Sequence, residues 1–141
     1  CISLLHDIVE DTEAITKDVR RSFGYEISNG VFVLSNNTIN LDNKLLELVS
    51  PTVDTARLSN KELYKIRILL ARETVQRIKI ADIIHNTADL QSLNLEGIER
   101  KLSDAEFYIR IGRKVAPIMV KKLEANISNY HLKVIQQQQI K

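Results

Sequence analysis

Apolar residues recur at helical spacing along most of this 141-residue chain, in segments parted by short polar breaks. Cys1 to Glu13 reads as a first helix. Thr16 suits an N-cap for a second, from about Lys17 to Gly24, because its hydroxyl can accept from an orphaned backbone N–H. Between Tyr25 and Leu34 the residues Ile27, Val31 and Leu34 keep a helical rhythm, while Gly30 and the VFVL run leave a short strand open. Ser35 to Arg57 is the least regular stretch and reads as a loop with one short helix near Leu45 to Val49. Ser59 followed by Glu62 spells a capping box that opens a long helical pattern, Asn60 to Leu90. That length exceeds a typical globular helix, so a break is expected near Ala71 to Thr74. Ile98 to Arg113 and Val115 to Ser128 complete the helices, with Pro117 in a first turn, where proline is tolerated. The pattern predicts an all-α domain over residues 1–128 and a low-complexity tail, 129–141, that carries no chemistry.

Composition changes this picture little. One domain of this length buries a real core, and four glycines with no Trp suit helices better than a turn-rich sheet. A formal charge of +2, with Lys and Arg scattered among acids, argues against a nucleic-acid partner. No apolar run approaches the roughly 20 residues of a membrane span. Cys1 is the only cysteine, so no disulfide or CxxC zinc site forms within the chain, which suits a cytoplasmic protein. Ile2 onward already reads as helix interior, with no N-cap before His6. We therefore expect further residues upstream of Cys1 in the full protein, including helices of the same domain.

Chemistry concentrates in two places. The first is Leu4-Leu5-His6-Asp7-Ile8-Val9-Glu10-Asp11-Thr12. At about 100° per residue, His6, Asp7, Glu10 and Asp11 span an arc of about 140° on one side of a helix, opposite Ile2, Leu5, Ile8, Val9 and Thr12. Such a face is often merely solvated. Here Asp7 and Asp11 are like charges at i,i+4, which destabilise a helix unless something positive lies between them. A divalent cation would serve, and His with Asp suits Mn²⁺, Fe²⁺ or Zn²⁺.

The second is Arg77 to Leu90, where Lys79, Asp82, His85, Asn86 and Asp89 share a stripe and apolar side chains occupy most of the remaining surface. A helix apolar around most of its circumference is expected to be buried. Buried Asp82 and Asn86 then need partners, whether ligands of a site or a structural pairing of Asp82 with Lys79 or Arg77.

Together the segments resemble the HD superfamily of metal-dependent phosphohydrolases, and within it the alarmone (ppGpp) hydrolase domain of RelA/SpoT-type proteins and their small single-domain relatives. Leu5 to Thr12 matches the LHD-x-x-ED-T signature, Phe23-Gly24 the FG that follows it, and Lys79 to Thr87 the K-x-AD-x-x-HN segment. The similarity runs from about Ile2 to Leu123. The resemblance implies an HD-domain helical bundle. It implies that His6, Asp7 and Asp82 are metal ligands, typically of Mn²⁺, and that Glu10 and Asp11 orient or deprotonate the attacking water. Lys79 and Asn86 would contact a nucleotide substrate, which loses pyrophosphate from its ribose 3′ position.

Three departures qualify the match. The family's first metal-binding His lies upstream of the HD pair, ahead of Cys1. So do the basic residues that hold the guanine nucleotide. Asp89 stands where the family usually has Thr, adding a negative charge where a polyphosphate would bind. Alternative readings are an HD phosphohydrolase for another nucleotide, or a catalytically silent HD fold that binds a nucleotide or partner. No feature selects an oligomeric state.

Overall fold

The computed structural model of the chain describes residues 1–11, 16–35 and 58–139, with the side chains of residues 10, 11, 16, 133 and 136–139 outside that description. The fold is all-α. Among the described residues there are six α-helices and no strand: α1 (Ile2–Asp11), α2 (Thr16–Leu34), α3 (Asn60–Leu70), α4 (Glu73–Asn86), α5 (Leu95–Val115) and α6 (Pro117–Gln139), with a 3₁₀ turn at Leu90–Ser92. The loop expected between Ser35 and Arg57 lies outside the described residues beyond Ser35. The chain divides into two compact units, Cys1–Val75 and Gln76–Lys141.

In the first unit, α1 packs on α2. Val9, Val19 and Val31 are buried together, with Ile2, Leu5 and Ile27 packed around them. The segment from Tyr25 to Leu34, for which a strand had stood open, is helical. Gly30 is what lets it lie close to α1: a Cβ there would sit 2.7 Å from Ile2 Cδ1. The helix changes course at Gly24, whose φ of 83° and ψ of 176° fall where L-residues with side chains are strained. Its C-terminal end is closed from α3. Tyr64 Oη donates to the Leu34 carbonyl at 2.9 Å, and Arg67 donates to the Ser35 carbonyl. Carbonyls that lack a partner within their own helix are thereby satisfied. The Arg67 guanidinium also lies 5.0 Å from the Tyr64 ring and 5.7 Å from that of Phe32, within cation–π range.

The break between α3 and α4 falls at Ala71 and Arg72, as the over-long helical pattern predicts. The capping box at the start of α3 is formed on both sides. Glu62 N–H donates to Ser59 Oγ at 3.3 Å, and Ser59 N–H donates to Glu62 Oε2 at 2.8 Å.

In the second unit, α5 and α6 pack on each other. Ile80, Ile83, Ile84, Ala105, Tyr108, Val120 and Leu123 are buried there. Asn94 caps α5 by accepting from Gly97 N–H at 2.9 Å, so the helix begins a turn before the Ile98 expected from the pattern. Pro117 opens α6, where its missing N–H costs nothing. No helix among the described residues is long and apolar enough to cross a membrane.

Two outcomes follow. Gly24→Ala forces a Cβ into the strained conformation and should destabilise the chain by roughly 1–3 kcal/mol, read as a lower urea midpoint. The Glu62 carboxylate is held below the usual glutamate range, first by the Ser59 hydroxyl and then by the Ser59 N–H. Because the charged form is favoured in the folded state, the contribution is complete above the ordinary glutamate pKa and is lost as pH falls through the lowered one. Amide exchange at the start of α3 should therefore quicken on acidification, and Glu62→Gln should abolish that dependence.

Candidate functional site

Each unit carries one of the chemically suggestive segments. In the first, His6 and Asp7 lie in the middle of α1, with His6 Nε2 3.0 Å from Asp7 Oδ1. Asp7 is exposed, at 63%, whereas His6 is buried at 8%. This corrects the expected division of the helix into a polar face holding His6 and an apolar face holding Ile8. Ile8 is exposed, and the packed stripe is Ile2, Leu5, His6 and Val9. Those positions are spaced i, i+3, i+4 and i+7, the pattern of a core-facing face, and the imidazole occupies one of them. Its Nδ1 is buried and has no hydrogen-bond partner among the described residues. Such an orphan costs free energy unless a proton acceptor, a donor or a cation meets it. Glu10 and Asp11 belong to α1, but their side chains lie outside the described residues.

In the second unit, Lys79, Asp82 and Asn86 stand on successive turns of α4. Lys79 Nζ lies 2.8 Å from Asp82 Oδ2, and Asn86 Nδ2 donates to Asp82 Oδ1 at 2.9 Å. The helix is buried on one side only: Ala81 and His85 are exposed. Asp82 is therefore half-buried, with 30% of its side chain exposed, and not enclosed as the apolar pattern suggests. The Lys79 pairing weighed from the sequence is present. Arg77 turns elsewhere, donating from Nε to the Val115 carbonyl at the end of α5 at 2.8 Å.

Two neighbours of this site carry no signal in the sequence. Lys101, on α5, donates to Asn86 Oδ1 at 3.1 Å. Asn126, on α6, donates to the Ile84 carbonyl at 2.9 Å and lies 3.3 Å from Thr87 Oγ1. Both join residues on separate helices, a relation that periodicity within one helix cannot report. Asn126 occupies a carbonyl in the last turn of α4, beside the turn that presents Asn86. A cavity of about 180 Å³ opens next to the network, lined by Lys79, Asp82, Asn86, Arg100, Lys101 and Asp104. The larger cavity of the first unit, about 510 Å³, is lined by none of the residues expected to form a site.

Among the described residues, no three His, Cys, Asp or Glu side chains stand together as a metal site requires. The donors nevertheless suit a divalent cation in their chemistry. The His6 imidazole offers an unpartnered nitrogen. The Asp82 carboxylate spends two of about four lone-pair sites on Lys79 and Asn86. Asp89 lies outside this network and is exposed, with no side-chain bond to the 3₁₀ turn that it precedes.

No family model, curated protein or solved structure matches the chain.

Asn126→Ala should remove the contacts from α6 to the Ile84 carbonyl and to Thr87 Oγ1, leaving these groups only the bonds that the Thr87 hydroxyl makes to the Ile83 and Ile84 carbonyls. Loss of such a partly buried hydrogen bond destabilises by about 1 kcal/mol, measurable by urea denaturation.

Proposed function

We propose that the chain is a metal-dependent phosphohydrolase of the HD type, built as an HD-domain helical bundle and acting on a nucleotide phosphoester, with a ppGpp-like 3′-diphosphate as the first substrate to test. The observation that carries the reading is the pairing of two segments, His6-Asp7 with Glu10-Asp11 and Lys79 with Asp82 and Asn86, in the order and spacing of that superfamily. The unpartnered Nδ1 of buried His6 supports it, as does the ordering of Asp82 by both flanking side chains.

His6, Asp7 and Asp82 would hold a divalent cation, Mn²⁺ in the first instance. When bound, such an ion lowers the pKa of a coordinated water and screens charge developing on phosphorus. Glu10 or Asp11 would accept the proton of the attacking water, a task that requires a carboxylate within about 3 Å of it. The water oxygen bonds to phosphorus, and the bond from phosphorus to the ribose 3′ oxygen breaks; that oxygen leaves with the bonding pair and takes up a proton, and pyrophosphate is released. Lys79 and Asn86 would orient the substrate. In this role Asn86 exchanges its bonds to Asp82 and Lys101 for bonds to the nucleotide, and Lys79 offers a compact positive charge to a phosphate.

The test is incubation of the protein with Mn²⁺ and a panel of nucleotides, ppGpp and NADPH included, with product identification. We expect Mn²⁺-dependent release of pyrophosphate from ppGpp. Asp82→Ala and Glu10→Ala should each lower turnover by at least about 100-fold, the scale of a lost acid–base group. Fully active, folded variants would reject the assigned site, and a wild-type chain inert toward the whole panel would favour a silent fold.

A further inference from the structure

The cavity beside α4 has an odd balance of charge. Its lining carries three cations, Lys79, Arg100 and Lys101, against two carboxylates, Asp82 and Asp104. Lys79 is committed to Asp82. Arg100 and Lys101 form no ion pair with a carboxylate among the described residues. Lys101 is half-buried, and the group it meets is neutral: the amide oxygen of Asn86. An amide oxygen solvates an ammonium without cancelling its charge. A half-buried ammonium so placed gains more from an anion than the same group on an open surface, because water screens it less.

Size narrows the choice of anion. At about 180 Å³ the cavity falls below the roughly 300 Å³ at which pockets for whole small molecules begin. Its concave part is on the scale of a phosphate group, and it opens to solvent, where the rest of a nucleotide would lie. Half-buried Lys101 and exposed Arg100 are also complementary in kind. A guanidinium grips phosphate oxygens in a fork, and an ammonium acts as a point charge.

We infer that Arg100 and Lys101 of α5, with Lys79 and the amide of Asn86, form a binding subsite for a phosphate oxyanion, either a phosphate of the bound nucleotide or the anion released from it. The inference deepens the hydrolase reading by extending the substrate contacts from α4 onto α5, and rests on that reading only for the source of the phosphate. Asn86 links the two helices: its amide turns its oxygen toward Lys101 and its nitrogen toward Asp82.

The experiment is calorimetric titration of the full chain with inorganic pyrophosphate, and separately with GDP, in buffer without divalent metal. Wild type should bind, and Lys101→Gln and Arg100→Gln should each bind about tenfold more weakly, the effect of one charge-assisted hydrogen bond. Lys101→Arg should recover most of the affinity, and circular dichroism should show unchanged helix content in all three. Equal weakening toward both ligands assigns the subsite to the nucleotide's phosphate. Weakening toward pyrophosphate alone assigns it to the released anion. Wild-type affinity in both glutamine variants, or no binding by wild type, overturns the proposal. The two readings fail separately. A chain that binds pyrophosphate through Lys101 but never hydrolyses ppGpp loses the hydrolase and keeps the subsite. A Lys101→Gln enzyme with unaltered KM and kcat loses the subsite and keeps the hydrolase.

Discussion

Asp82 is a carboxylate half withdrawn from water, and the polar contacts along one flank of α4 are arranged around it. Lys79 lies one turn before it and Asn86 one turn after, so both partners come from α4 itself and are available as soon as that helix forms. Lys101 then extends the chain of contacts onto α5 through the Asn86 amide. Each link restricts the next. With its oxygen turned toward an ammonium and its nitrogen toward a carboxylate, the amide of Asn86 has one favourable orientation, since a flip would point donors at Lys101 and an acceptor at Asp82. A network this small orders four side chains and ties two helices together without enclosing any of them in an apolar core.

A comparable economy appears in the first unit. Arg67 of α3 is buried, yet its guanidinium meets the Ser35 carbonyl beyond the end of α2 and lies against the rings of Tyr64 and Phe32. Tyr64 closes the neighbouring Leu34 carbonyl. Helix ends that would otherwise carry unsatisfied carbonyls are the places where α3 attaches, so the same bonds finish one helix and position another. The course of α2 depends on glycine twice: at Gly24 for a dihedral that other residues reach only under strain, and at Gly30 for room beside Ile2.

The proposed chemistry draws on a buried imidazole in the first unit and a half-buried, oriented carboxylate in the second. Buried His6 keeps one nitrogen beside Asp7 and the other unmatched among the described residues. Asp82 is oriented by its neighbours yet retains lone pairs. Groups that are ordered but not saturated are the ones able to take a ligand, and a phosphohydrolase needs several of them. In the proposed reading, the cationic lining beside Asn86 would add the element that carboxylates cannot supply to a phosphate, which is positive charge.

The helices themselves were legible along the chain because their causes are local. Apolar spacing announced α1, α4, α5 and the first half of α6, which continues to Gln139 through the segment read as a tail. Ser59 with Glu62 announced the start of α3, the excess length of the Asn60 to Leu90 pattern announced the break at Ala71 and Arg72, and Pro117 announced α6. The pairing of Lys79 with Asp82 was legible for the same reason, being an i,i+3 relation on one helix. The side of α1 that packs was readable in principle, but His6 was assigned to the polar face by its chemistry while its spacing with Ile2, Leu5 and Val9 placed it inside. Tertiary structure alone decided that Asp82 stays half-exposed, that Lys101 reaches Asn86, and that Asn126 braces the end of α4. Those outcomes depend on which helix lies against which face. That is set by contacts between residues far apart in sequence, and a period of 3.6 residues holds no record of them.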